Sequence, residues 1–145
     1  MTEKGVLFYD GDCGICRWCV AKVLVWDRDG SVTPLAIQSP EAAELLAGVG
    51  PERRLASWHF LDSDGAVFSA GAAFSPLLRL LPGGSPLAAL ASRRPRGVER
   101  AYGLAAAHRG ALGALVTKGA RGRADRRLAA RKSSVNLAPW RARSR

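Results

Sequence analysis

A chain of 145 residues with 48% apolar side chains is long enough for one compact domain and too apolar to be disordered throughout. No stretch reaches the ~18 uninterrupted apolar residues of a membrane span, since the most apolar one, 72–90, is broken by Arg79 and by Pro82-Gly83-Gly84. The net charge of +10 lies almost wholly in residues 118–145, which hold ten Lys or Arg against Asp125; the preceding residues carry twelve basic and eleven acidic side chains, a balance that gives the body itself no mark of a nucleic-acid binder.

Val6-Leu7-Phe8-Tyr9 is a short β-prone run closed by the turn pair Asp10-Gly11. From Cys13 to Trp26 the period becomes helical, with Ile15, Cys19, Val23 and Trp26 three or four residues apart. Gly30 ends this helix, and Val32 to Ile37 reads as a second strand. Pro34 within it predicts an edge position or a bulge. Ser39 followed by Pro40 predicts the capped start of a short helix to about Ala47. Ser57 to Leu61 and Ala66 to Ser69 read as two strands joined by Asp62-Ser63-Asp64-Gly65. An apolar helix follows Gly71 and stops at Leu81.

These elements spell βαβ, then α, then ββα. The first unit requires parallel strands and the hairpin antiparallel ones, so the expected fold is α/β with a mixed, thioredoxin-like sheet and extra C-terminal helices. Past Ser85-Pro86 the chain reads as further helix, and Gly97 to Val116 predicts one helix bearing Tyr102, Leu104, His108, Leu112 and Leu115 on one side. The expected division is a domain over 1–117 and a basic, flexible or weakly helical tail over 118–145.

All three cysteines, Cys13, Cys16 and Cys19, fall in one seven-residue run. Such a cluster cannot tie distant segments together, so it points to redox or metal chemistry. At a strand-to-helix junction, Cys13 lies in the first turn, where the helix dipole favours its thiolate. Cys16, one turn later and expected to be more buried, is placed to close a disulfide. The cycle this implies is attack by Cys13 on a substrate disulfide, then displacement of the product by Cys16, with a separate reductant restoring the dithiol. Asp12 opposes thiolate formation at Cys13 and predicts a reducing or moderately poised couple. Asp10 either caps the turn or relays a proton to Cys16, and the structural role is favoured. Cys19 is expected to pack as a small apolar side chain.

The run Leu7-Phe8-Tyr9-Asp10-Gly11-Asp12-Cys13-Gly14-Ile15-Cys16 resembles the signature of the DCC family of thiol-disulfide oxidoreductases. The likeness continues through Asp64-Gly65, Gly71 and Ala73, the Leu77 to Pro82 segment, and Tyr102 and Arg109, covering about residues 5 to 117. The resemblance implies a thioredoxin-like fold and disulfide exchange, with Asp10, Cys13 and Cys16 as the matching positions, on a disulfide-containing protein or a small thiol. Two features depart from thioredoxins. Leu55-Ala56-Ser57-Trp58 has no proline where they place a cis-proline, leaving Ala56 or Ser57 to help dock substrate. Asp12 stands where they carry a tryptophan.

Rival readings have less support in the residues. A zinc module would need a fourth ligand, and the two histidines, His59 in a strand and His108 in a distant helix, read as packing or surface residues. No metal and no cofactor is therefore expected. Asp10-Gly11-Asp12 also resembles the acidic pair of haloacid-dehalogenase-like phosphatases, without a later Asp pair to hold Mg²⁺. The tail, through Arg121, Arg123, Arg126, Arg127, Arg131 and Lys132, could meet phosphates or an anionic membrane surface, with Trp140 as an anchor. Trp18, Trp26 and Trp58 read as core or rim aromatics. The first residues, Met1 to Gly5, lack the pattern of an export signal, so the cytoplasm is the expected compartment.

Overall fold

The computed structural model describes residues 3–132 and 136–143. Among them four strands form one sheet in the order β2-β1-β3-β4: β1 (Gly5–Tyr9), β2 (Val32–Ala36), β3 (His59–Leu61) and β4 (Val67–Ser69). β1 and β2 run parallel, whereas β3 runs antiparallel to both β1 and β4. This is the mixed sheet of a thioredoxin-like α/β fold.

All five residues of β1 are buried because the strand is covered on both faces, which explains its unbroken apolar run. Leu7 and Tyr9 point to one side, into a core with Val20 and Leu24 of α1 (Gly14–Trp26). Leu77 of α4 (Phe74–Leu80) completes that layer. Val6 and Phe8 point to the other side, against Ala42 and Leu45 of α2 (Pro40–Leu45) and against Leu46. The period of two along one strand thus feeds two cores. Pro34 sits in β2, an edge strand, opposite Leu7 in register. Its missing N–H therefore costs no ladder bond on the outer side. Ser39 caps α2 by accepting from Ala42 N–H at 3.2 Å, as its sequence position predicts.

Several elements differ from the reading of the sequence. Gly50-Pro51 opens a short helix, α3 (Pro51–Ala56), before β3. The segment after Gly71 begins as a 3₁₀ turn, Ala70–Ala73, and only then becomes α4. After α5 (Ser85–Arg93), the single helix expected over 97–116 is two, α6 (Pro95–Ala107) and α7 (Arg109–Leu115), parted at His108. Its expected apolar side is also broken, since Leu104 and Leu115 face solvent at 66% and 78% exposure. α6 comes close to the 3₁₀ turn at Gly71, where a Cβ would stand 2.8 Å from Glu99 Cα. Glycine lets the Gly71 N–H donate to Glu99 Oε2 at 2.9 Å.

The basic segment is not a free tail over its described residues. Lys118–Lys132 form helix α8, which lies along α1 and touches β2; Ala138–Arg143 form α9. Leu128 enters the core that holds Leu7 and Val20, and Arg131 pairs with buried Asp27. Trp140, expected as an exposed anchor, is 5% exposed in the second core and donates from Nε1 to Asp62 O at 3.1 Å. Burial satisfies both its ring and its N–H, so it is not presented to a surface. Residues 133–135 and 144–145 lie outside the described residues. Among those described, no helix is long and apolar enough to cross a membrane.

His59 is fully buried in β3, with Nδ1 2.7 Å from Ser69 Oγ and Nε2 3.1 Å from Arg54 O. Burial disfavours its charged form and lowers its pKa from the ordinary 6.5. The unfolded chain therefore binds the proton more readily, and stability falls as pH drops through and below ~6.5. Denaturation midpoints measured between pH 7.5 and 5 should decline, and His59→Gln should flatten that decline.

Candidate functional site

β1 ends at Tyr9, and the next four residues turn the chain into α1. Asp10 shapes that turn: its Oδ1 accepts from Asp12 N–H at 3.0 Å and from Gln38 Nε2 at 2.8 Å. Gln38, which follows β2, also accepts from Gly11 N–H through Oε1 at 3.0 Å and reaches Asp12 Oδ2 at 3.4 Å. Parallel pairing of β1 with β2 puts Gln38 beside this turn, so one amide clamps all three residues of Asp10-Gly11-Asp12. Sequence reasoning missed Gln38, and its only signal is its place just past the strand next to β1.

Cys13 is the N-cap of α1, with φ −93° and ψ 114°, and its Sγ accepts from Cys16 N–H at 3.4 Å. A cap position offers the sulfur unsatisfied helix N–H groups and the positive end of the helix dipole. Cys13 and Cys16 are joined as a disulfide, with Cα atoms 5.2 Å apart, inside the ordinary span for such a bond. Both residues are half-buried.

The charges around the pair come from three elements. Asp12 is exposed. Arg17 donates from Nη1 to Gly11 O at 2.9 Å and pairs through Nε with Asp125 of α8 at 3.1 Å. Arg121 of α8 donates to Gly113 O at 2.6 Å, and its Nε would lie 3.7 Å from a Cβ at Gly14. A guanidinium from a segment expected to be loose thus lies beside Gly14, between the two cysteines, at a distance that a Cβ there would tolerate.

Beside Cys16 lies a cavity of about 620 Å³ walled largely by apolar side chains. Trp58 is its centre: its ring is 4.8 Å from Phe74 and 5.9 Å, stacked, from Tyr102. Tyr102 Oη accepts from Trp58 N–H at 2.9 Å, and Trp58 Nε1 donates to Ala70 O at 2.9 Å. Burial pushes the Tyr102 hydroxyl above its ordinary pKa, which keeps it neutral. Trp18 and Cys19 also face this space. Cys19 is thus not a core side chain. It is an exposed residue whose thiol lines the cavity and whose pKa is raised by desolvation. Of the remaining tryptophans, Trp26 is a rim residue donating to Pro82 O at 2.8 Å. His108 is exposed at the junction of α6 and α7, with Nδ1 2.9 Å from Leu104 O of α6. Among the described residues, no three His, Cys, Asp or Glu side chains are grouped to hold a metal ion.

This geometry, a Cys-x-x-Cys disulfide capping the first helix of a thioredoxin-like sheet, agrees with a family model. Residues 7–114 match the model of the DCC1-like thiol-disulfide oxidoreductases. The chain belongs to that family. It is a thiol-disulfide oxidoreductase, and its substrate carries a disulfide. No curated protein and no solved structure matches the chain. Helix α8 lies beyond the matched residues, so the contacts of Arg121 and Arg131 are features of this chain and not of the family match. Tyr102 and Arg109, both among the points of likeness to the family in the sequence, line the cavity.

Proposed function

We propose that Cys13 is the attacking thiol, Cys16 the resolving thiol and Asp10 the residue that holds their turn. The observation that carries this reading is the bond from Cys16 N–H to Cys13 Sγ at the helix cap, which stabilises negative charge on Cys13 and not on Cys16. In the reduced protein the Cys13 thiolate attacks a substrate disulfide and a mixed disulfide forms. Cys16 then loses its proton and attacks the Cys13 sulfur, which releases the second substrate thiol and closes Cys13–Cys16. Asp10 is a positioning residue in this scheme: its Oδ1 accepts from Asp12 N–H and from Gln38 Nε2 and so fixes the turn that leads into Cys13. The favoured direction is reduction of substrate, in a reducing compartment such as the cytoplasm.

A redox titration against glutathione, with the bonded pair mapped by mass spectrometry, tests this assignment. The expected result is one reversible two-electron transition at Cys13–Cys16. No reversible couple at this pair would sink it.

Asp12 sets the potential in this reading. Its carboxylate disfavours the Cys13 thiolate, so Asp12→Asn should increase the thiolate fraction at neutral pH. A more stable thiolate stabilises the reduced form, and the couple becomes more oxidising. The same titration on Asp12→Asn should move in that direction, and a shift to a more reducing value would refute the role of Asp12.

A further inference from the structure

The cavity beside Cys16 differs from a groove built for an extended polypeptide. A substrate strand laid along residues 57–58 would seek their backbone N–H groups, yet the Trp58 N–H already donates to Tyr102 Oη. The Trp58 indole N–H is likewise taken by Ala70 O. A peptide entering here would leave its own amides unpaired against aromatic walls, at a cost that apolar contact does not recover. A volume of about 620 Å³ is also that of a small-molecule site, for which roughly 300–1,000 Å³ is usual.

The charges in the wall narrow the chemistry. Lys22 and Arg109 are its cations, and Asp10 is its anion. Lys22 Nζ stands 5.2 Å from the centre of the Trp18 ring. Arg109 is exposed and makes no ion pair among the described residues. Asp10 is turned to Asp12 N–H and Gln38. The excess positive charge therefore sits at the α1 and α7 side of an otherwise apolar space, and Cys16 is at its inner wall.

We propose that this cavity binds a small amphipathic redox partner of the Cys13–Cys16 couple, a disulfide or dithiol with an apolar body and a carboxylate. The body lies against Trp18, Trp58, Phe74 and Tyr102, and the carboxylate meets Lys22 and Arg109. The inference rests on the exchange reading above and names its substrate class. When the partner is a disulfide, the reduced protein gives up two electrons and two protons. The partner's S–S bond breaks to two thiols, and Cys13–Cys16 closes. A dithiol partner runs the same exchange backwards and recharges the protein, with its own sulfurs joining as Cys13–Cys16 opens.

Binding can be read without turnover. In the oxidised protein Cys19 is the one free thiol, and Trp18 and Trp58 report on the cavity. Lipoate and octanoate are the probes, the second having no sulfur, with lipoamide as the neutral counterpart of the first. The expected result is saturable quenching of tryptophan fluorescence by both acids and slower alkylation of Cys19 in octanoate. Lipoamide should bind roughly fivefold more weakly than lipoate, and Arg109→Gln should erase most of that difference. Ala106 of α6 also lines the cavity, so Ala106→Phe should fill the space and remove quenching, while Arg109→Gln is a change at an exposed site that keeps the fold. No saturable quenching by either acid, or equal affinity for lipoate and lipoamide, overturns the proposal. The glutathione titration of the unsubstituted protein separates the two inferences: a normal Cys13–Cys16 transition with no lipoate binding refutes the cavity assignment alone, and an absent transition refutes the exchange reading.

Discussion

Cys13→Ser lowers exchange by at least roughly a thousandfold, and Cys16→Ser stops the protein half-way through its cycle. A serine hydroxyl is not ionised at neutral pH and does not form a disulfide, so the first variant lacks both nucleophile and acceptor. Cys16→Ser keeps the Cys16 position's backbone N–H, and with it the donor to Cys13 Sγ. Its Cys13 should therefore still attack a substrate disulfide. Without the second thiol, the mixed disulfide accumulates, and intact-mass measurement should show one substrate thiol per chain. Cys19 is the thiol most able to rescue this variant, one helical turn beyond Cys16 and facing the same cavity. Desolvation raises its pKa, so little thiolate is available there at neutral pH. Cys19→Ser should leave turnover close to that of the parent. Sustained turnover by Cys16→Ser that disappears when Cys19 is also replaced would transfer the resolving role to Cys19.

The four strands, their mixed pairing and the junction that carries the cysteines were legible in the sequence because each has a strong local cause. β1 is apolar throughout because both of its faces are buried, and Pro34 marks an edge because a central strand needs its N–H. The cavity was not legible. Its aromatic wall is assembled from Trp18 in α1, Trp58 before β3, Phe74 in α4 and Tyr102 in α6, which no single period joins. Gln38 was missed for a similar reason, since its partners are 26 to 28 residues away. α8 was misread because arginine dominates its composition. Only Ala124 and Leu128, one turn apart, are buried, and two small contacts do not make a visible apolar stripe. The interaction that fixes the helix spans 104 residues of sequence.

That long-range interaction carries the second large effect, a loss of about 3 kcal/mol of stability in Arg131→Met. The Asp27 side chain at the end of α1 is fully buried. Its carboxylate accepts from Ser31 N–H at 2.9 Å and Val32 N–H at 2.8 Å, and from Arg131 Nη1 at 2.9 Å. Arg131 Nη2 also donates to Asp27 O at 3.2 Å. Removing the guanidinium leaves a buried anion with two amide donors and no countercharge, and breaking such a pair typically costs about 3–5 kcal/mol. The two amides keep the expected loss at the lower end of that range. Arg131→Lys restores the charge without the planar fork and should recover part of the loss. The exposed pair Arg141–Glu44 and the partly exposed pair Arg17–Asp125 should contribute no more than about 1 kcal/mol each. In urea denaturation the Arg131→Met midpoint should drop with its slope unchanged, and added salt should alter that difference little. A drop worth less than about 1 kcal/mol would mean that α8 is held by Leu128 and its neighbours alone. Because α8 also brings Arg121 against Gly14, loosening it reaches the cysteines: the Arg131→Met protein should show a shifted Cys13–Cys16 potential under conditions where it is still folded.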